Sequence, residues 1–204
     1  GGRRAVRVAL AAFLLTASAS CNSSSDADRG TASNTVATEP APTTTTNPYA
    51  VPEVIDAAYV NRVLAGLDLV MGDANRALLR ARTLTADVYD RLRAIYARNS
   101  LLQLVVDAIE DEIRKGFSGY RPDPGNRVTT VTRAITAQST CIFVSVQRDY
   151  SAMSPGPNSP DLQWVALTPL ERSRDPHGYN PTSWAMIYDG FTADRSQPEN
   201  PCLR

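Results

Sequence analysis

The apolar periodicity of this chain changes once, across residues 120–126 (YRPDPGN). Before that stretch, apolar side chains recur at steps of three or four. After it they recur close to every second position. The first spacing lines one face of an α-helix and the second lines one face of a strand. Two prolines and a glycine between them keep either pattern from running through. The sequence therefore predicts helices first and an antiparallel sheet afterwards, an α+β arrangement.

In the helical half, Ile55, Tyr59, Val63, Leu67, Val70, Ala74 and Leu78 form one stripe. Asp56, Arg62, Asp68, Asp73 and Arg76 fall mostly off it. Gly66 and Gly72 each weaken a helix by about 1 kcal/mol relative to alanine, so each marks a place where another element is expected to come close. A second helix is expected after Thr83 or Thr85, either of which can cap it, with Val88, Leu92 and Ile95 as its apolar face. The spacing Ser100-Leu101-Leu102-Gln103 matches a capping box opening a third helix. Its stripe reads Leu102, Val105, Ile109, Ile113 and Phe117, and Gly116 or Gly119 followed by Pro122 ends it.

Four strands are expected at 128–137, 141–150, 162–167 and 183–188. The short connection at 138–140 reads as a hairpin turn, and the succession implies an antiparallel meander. Strict alternation puts Val131 and Ile135 on one face of the first strand, with Thr130, Thr132 and Thr136 on the other. It likewise groups Trp184, Met186 and Tyr188 on the last strand.

Residues 3–21 (RRAVRVALAAFLLTASASC) combine a basic start, an apolar run and small residues before a cysteine. The run has the length of a signal-peptide core and is too short for a spanning helix. Arg3-Arg4 raises the twin-arginine route, but Arg7 interrupts the apolar positions that should follow, which favours general secretion. Residues 22–51 are rich in Ser, Thr, Asn, Ala and Pro, including four consecutive threonines, and carry too little apolar surface to bury. Such a segment of about 30 residues, if flexible, spans roughly 30 Å on average. The expected organisation is a signal peptide at 1–20, a tether at 21–51 and one α+β domain at 52–204.

Charge and motifs exclude several functions. Equal numbers of basic and acidic residues (21 each) hide an asymmetry, since Arg3, Arg4 and Arg7 precede Cys21 and no acidic residue does. The remainder holds 18 basic against 21 acidic side chains, a formal −3. With no basic stripe, nucleic acid is not an expected partner. Asp107, Glu110, Asp111 and Glu112 point around more than half of the third helix and cannot converge on one metal ion. They read as a solvated face, paired with the Arg114 and Lys115 that follow. His177 is the only histidine, set among turn-forming residues, and reads as an exposed loop side chain. The chain has no G-x-S-x-G elbow, no phosphate-cradling glycine loop and no H-E-x-x-H. No catalytic residue, cofactor or metal is implied.

Ser18-Ala19-Ser20-Cys21 resembles a bacterial lipobox, with Ser18 where a branched aliphatic residue usually stands. The resemblance implies cleavage before Cys21 and lipidation of its thiol, which would anchor the protein outside the cytoplasmic membrane. The alternative is a secreted protein cut near Ala17 or Ala19. If Cys21 carries lipid, Cys141 and Cys202 remain as an even pair in an oxidising compartment, and a disulfide is expected between them. Closing a loop of about 60 residues would stabilise the fold by roughly 4 kcal/mol in the chain-entropy model. CIFVSVQRDY together with NPTSWAMIYDGF is similar to segments of exported lipoproteins of high-GC Gram-positive bacteria, which implies a location and no chemistry.

In element order, residues 52–190 resemble the cone-shaped fold of nuclear-transport-factor-two-like proteins and of polyketide-cyclase or ketosteroid-isomerase-like enzymes. The resemblance implies three N-terminal helices packed on a curved four-stranded sheet whose inward residues line a pocket. Tyr59, Trp164, Trp184 and Tyr188 are the residues it offers as contacts for an apolar ligand, with Phe191 beside them. Core packing is the other reading of these aromatics. Enzymes of that fold carry carboxylates or Tyr/His pairs in the pocket, a role Tyr59 or Asp90 would have to fill here. The expected function is a non-enzymatic envelope module binding a partner protein or an apolar ligand. The alternative is a small-molecule enzyme working by general acid–base chemistry.

Overall fold

The computed structural model describes residues 47–155, 161–190 and 196–203. The leader, Cys21, most of the tether and Phe191 lie outside the described residues. Three helices precede a four-stranded antiparallel sheet of order β1-β2-β3-β4.

Helix α1 (Ala57–Ala81) starts where the extended Asp56 accepts a hydrogen bond from the Tyr59 amide at 2.7 Å. Its expected stripe is buried from Tyr59 to Leu78. Asp68 departs from the expectation: it is 3% exposed and faces β1. Helix α2 (Ala86–Ile95) is capped by Thr85, whose hydroxyl accepts from the Val88 amide, and Val88, Leu92 and Ile95 are fully buried. Helix α3 (Asn99–Arg114) does not use the expected capping box. Arg98 is its N-cap without a side-chain bond, Ser100 sits inside the first turn, and Gln103 donates to Asp107 instead. The chain is already held just before this helix: Tyr96 bridges Met186, and Arg174 donates twice to the Tyr96 carbonyl and once to Asn99. That anchoring fixes where the helix begins, and the Ser100–Gln103 spacing then has no free terminus to cap.

Strands β1 (Val128–Gln138), β2 (Cys141–Asp149), β3 (Asp161–Pro169) and β4 (Trp184–Gly190) form the predicted meander. Three register shifts change which side chains share a face. A bulge shifts all later residues by one, and one residue reverses the facing. Val131 consequently packs toward the helices while Ile135 packs on the far side. Trp184 and Met186 face the helices, but Tyr188 lies with Ile187 on the opposite face. The sheet is not strongly curled.

The main core lies between the helices and the near face of the sheet, where Ile142, Val144, Val146, Val165, Leu167 and Trp184 meet Val63, Leu67, Leu92 and Ile95. Each such side chain contributes about 1.5–3 kcal/mol on burial. Phe143, Trp164 and Ala166 form a smaller cluster on the far face. The tail is fastened there by a disulfide between Cys141 and Cys202 (Cα–Cα 5.6 Å) and by Asn200 donating to Thr136.

β1 is an edge strand, and α1 closes its edge. Asn61 accepts from the Val131 amide and Asp68 from the Thr129 amide, both at 2.8 Å. Seven residues apart, these two side chains project from one helix face and stand where a neighbouring strand would supply carbonyls. The two α1 glycines admit close neighbours of their own, Thr182 before β4 and Asn126 before β1. A Cβ on Gly66 would lie 2.6 Å from the Thr182 methyl, and one on Gly72 would fall 1.8 Å from Asn126 Oδ1.

Candidate functional site

The unusual chemistry of the domain is two arginines buried beside the core. Arg127 lies just before β1 and Arg148 in β2, and parity with Thr129 and Val146 turns both toward the helices. Their side chains are 6% and 3% exposed. Arg127 Nε donates to Asp68 Oδ1 at 2.5 Å. Arg148 Nη1 donates to Asp189 Oδ1 at 2.5 Å and to Gln163 Oε1 at 2.6 Å. Gln163 in turn donates to the Tyr150 hydroxyl at 3.3 Å. Two guanidinium groups thus face two carboxylates, and the pairing keeps the buried cluster neutral. Burial works against the charge of Arg127, but Asp68, helped by Tyr96 and Asp189, more than offsets it and holds its pKa above the ordinary value.

The donors are not all used. Arg127 Nη2 and Arg148 Nε and Nη2 are buried without a hydrogen-bond partner. An unmet buried donor costs about 1–3 kcal/mol, more when charged. Such groups in a well-packed domain need a reason.

Arg127 and Asp189 lie on the wall of a cleft of about 330 Å³ that opens beneath α3. Leu101, Leu104, Val105, Ala108 and Ile109 make the α3 side, with Met71 and Asn75 from α1 opposite. Tyr96, Tyr120, Tyr150 and Met153 complete it, and Glu112 stands at its border with a second hollow of about 300 Å³. The cleft exists because α3 buries only Leu102, Val106 and Ile109, leaving Val105 half-buried and Leu104 66% exposed. Burial raises the Tyr96 phenol pKa, with Asp189 adding to the shift and Arg127 and Arg148 opposing it. Burial also raises that of Tyr120, with Glu112 and Tyr150 adding. Both phenols therefore stay neutral at physiological pH and can donate a hydrogen bond.

The residues expected to contact a ligand are not brought together. Trp184 Nε1 donates to the Tyr59 hydroxyl at 2.8 Å, and that hydroxyl donates to the Tyr49 carbonyl, so both rings are structural parts of the main core. Trp164 stacks at a tilt on Phe143 on the far face, with Tyr188 beside it. None of the four lines the cleft. Asp90 pairs with Arg93 and with His177, whose side chain is 56% exposed, and neither residue reaches the cleft. On α3, Asp111 pairs with Lys115 and Arg114, and Glu112 with Lys115. Among the described residues no group of three or more His, Cys, Asp or Glu could hold a metal ion, and no helix is long and apolar enough to cross a membrane.

Sequence reading passed over Arg127, Arg148 and Asp68, although a signal was present. Ile142, Val144, Val146 and Arg148 occupy one parity of an unbroken strand, which points a guanidinium into the core. Compared with protein-family models, curated proteins and solved structures, the chain matches none.

Proposed function

We propose that this chain is an exported lipoprotein, anchored through Cys21, whose domain binds a small apolar ligand in the cleft beneath α3. The observation that carries the binding function is the cleft itself: aliphatic α3 side chains on one wall, and a polar, charge-paired floor. Its volume falls at the lower end of the range of small-molecule sites. The leader and the lipobox-like Ser18–Cys21 support the address, and the Cys141–Cys202 bridge suits an oxidising compartment. Element order supports the finer likeness to the cone-shaped family, and the segments CIFVSVQRDY and NPTSWAMIYDGF support that to exported lipoproteins of high-GC Gram-positive bacteria. A secreted form retaining Cys21 as a thiol is the alternative address.

Binding is favoured over general acid–base catalysis for a specific reason. The carboxylates at the cleft are engaged: Asp189 with Arg148, Asp68 behind Arg127, and Glu112 with Lys115 at 3.5 Å. A general base must be able to take a proton from its substrate. Calorimetric titration of the domain with n-butylbenzene, a probe with no heteroatom, tests the site. Saturable binding to the native domain and its loss in Ala108→Trp, which fills the cleft, are expected. No binding to the native domain, or undiminished binding to the variant, overturns the reading. For the address, fatty-acid labelling of the full chain should vanish in Cys21→Ala.

A further inference from the structure

The second hollow at the border of the cleft has a chemistry of its own. Glu112, Tyr120, Tyr150 and Met153 belong to the walls of both spaces, so the two adjoin. Gly119 and Ser154 complete the second, which leaves Glu112 as the single charged side chain among its described lining residues. Unlike the buried Arg127, Glu112 can be reached from solvent: its side chain is 30% exposed, and Tyr120 and Tyr150 beside it are half-buried. Glu112 Oε1 meets Lys115 at 3.5 Å, while Lys115 makes its closer contact with Asp111. Glu112 Oε2 lies 3.9 Å from where a Cβ on Gly119 would stand, so this oxygen faces a residue of the hollow's own wall. The carboxylate also acts on the neighbouring ring, since burial and then the charge of Glu112 raise the Tyr120 phenol pKa.

One carboxylate and two phenol rings around a shared space favour a cation. The face of an aromatic ring carries the negative part of its quadrupole, and it attracts alkylated ammonium groups in particular. An anion would meet the Glu112 charge with no cation on the same wall to receive it. A neutral head group gains a hydrogen bond at most. Arg127, the one cation on the cleft wall, is already matched by Asp68 and does not border the second hollow. Resting on the cleft-binding function above, we propose that the ligand is a cationic amphiphile, an alkyl-substituted ammonium compound. Its head group sits beside Glu112 and the rings of Tyr120 and Tyr150, and its tail runs beneath α3 along Leu104, Val105 and Ala108.

The test is a set of titrations of the native chain, Glu112→Gln and Ala108→Trp with octyltrimethylammonium, octanoate and n-butylbenzene at pH 7. Glutamine keeps the shape of Glu112 and removes its charge. Octyltrimethylammonium is expected to bind the native chain about tenfold more tightly than octanoate, and to lose about tenfold in Glu112→Gln, the scale of one cation held by a ring and a carboxylate. Binding of n-butylbenzene should be unchanged in Glu112→Gln, which also shows that this variant is folded. Octanoate binding as tightly as the ammonium, or tighter, overturns the cationic head group. Ammonium affinity unchanged in Glu112→Gln, or undiminished in Ala108→Trp, places the cation elsewhere and overturns the proposal. In each of those cases n-butylbenzene still binding the native chain leaves the cleft as a purely apolar site. If n-butylbenzene does not bind the native chain, the cleft-binding function itself falls and this proposal with it.

Discussion

Asp68 is the side chain on which most depends. Its carboxylate accepts from the Thr129 amide and from Arg127, so it joins α1 to the start of the sheet and neutralises a cation on the cleft wall. Removing one member of a buried pair leaves the other charged and unmatched, at about 3–5 kcal/mol. Asp68→Ala should therefore lower the unfolding free energy by about that amount in urea at pH 7; a loss below about 1 kcal/mol would mean that Arg127 finds water or another partner. Gly72 offers a second residue-level test. A methyl there displaces the Asn126 amide, which otherwise accepts from Arg76 Nη1 at 3.0 Å. Gly72→Ala should cost about 1 kcal/mol in the native background and less in Asn126→Ala, a non-additivity measurable by a double-mutant cycle. The glycine's role was legible in the sequence, since a glycine inside a strong helical stripe has few other uses. The partner was not, because Asn126 arrives from 54 residues away across the turn-rich connection.

At the level of elements, sequence and structure agree wherever a single local force decides. The α1 stripe, the Thr85 cap and the four-strand meander follow from periodicity and short connections. They part where tertiary contacts override local pattern. The capping-box spacing at Ser100 yields to the anchoring of Tyr96 and Asn99 by Arg174. The aromatic set on β4 is split by a one-residue shift between Ala166 and Leu167 that alternation cannot foresee. The same limitation hid the site: its pieces sit on α1, α3, β4 and three connecting segments, each with an ordinary local pattern. Helix α2 carries a pH-dependent element of its own. The hydrogen bonds that Arg91 and then Tyr179 donate to Asp87 hold its carboxyl below the usual value of 3.8. Its folded pKa is depressed, so its stabilisation is present above the unfolded pKa and is lost as pH falls through the folded value. Asp87→Asn should flatten the acid limb of the stability curve below about pH 4 and leave its slope near neutrality unchanged, as urea midpoints between pH 2.5 and 7 would show. An acid limb identical to that of the native domain would remove Asp87 from the account.

For the whole molecule, the two faces of the sheet divide the work. One face builds the core with α1 and α2 and, under the looser α3, the cleft. The other is held to the C-terminal tail through Cys202 and Asn200. Reduction of the bridge should lower stability by about 4 kcal/mol in the chain-entropy model, read as a shift of the urea midpoint at unchanged slope. An unshifted midpoint would show that the tail is held without the bridge. Ligand binding in the cleft should survive that reduction, because no cleft residue belongs to the far face. The three methionines of the chain offer a direct readout of the central claim, that the space beneath α3 takes an apolar ligand. Met71 and Met153 line the cleft, while Met186 is buried in the main core. In a spectrum of the ¹³C-methyl-labelled domain titrated with n-butylbenzene, the Met71 and Met153 signals should move together and saturably while Met186 stays in place. Signals that all remain still, or a shift of Met186 alone, would contradict it.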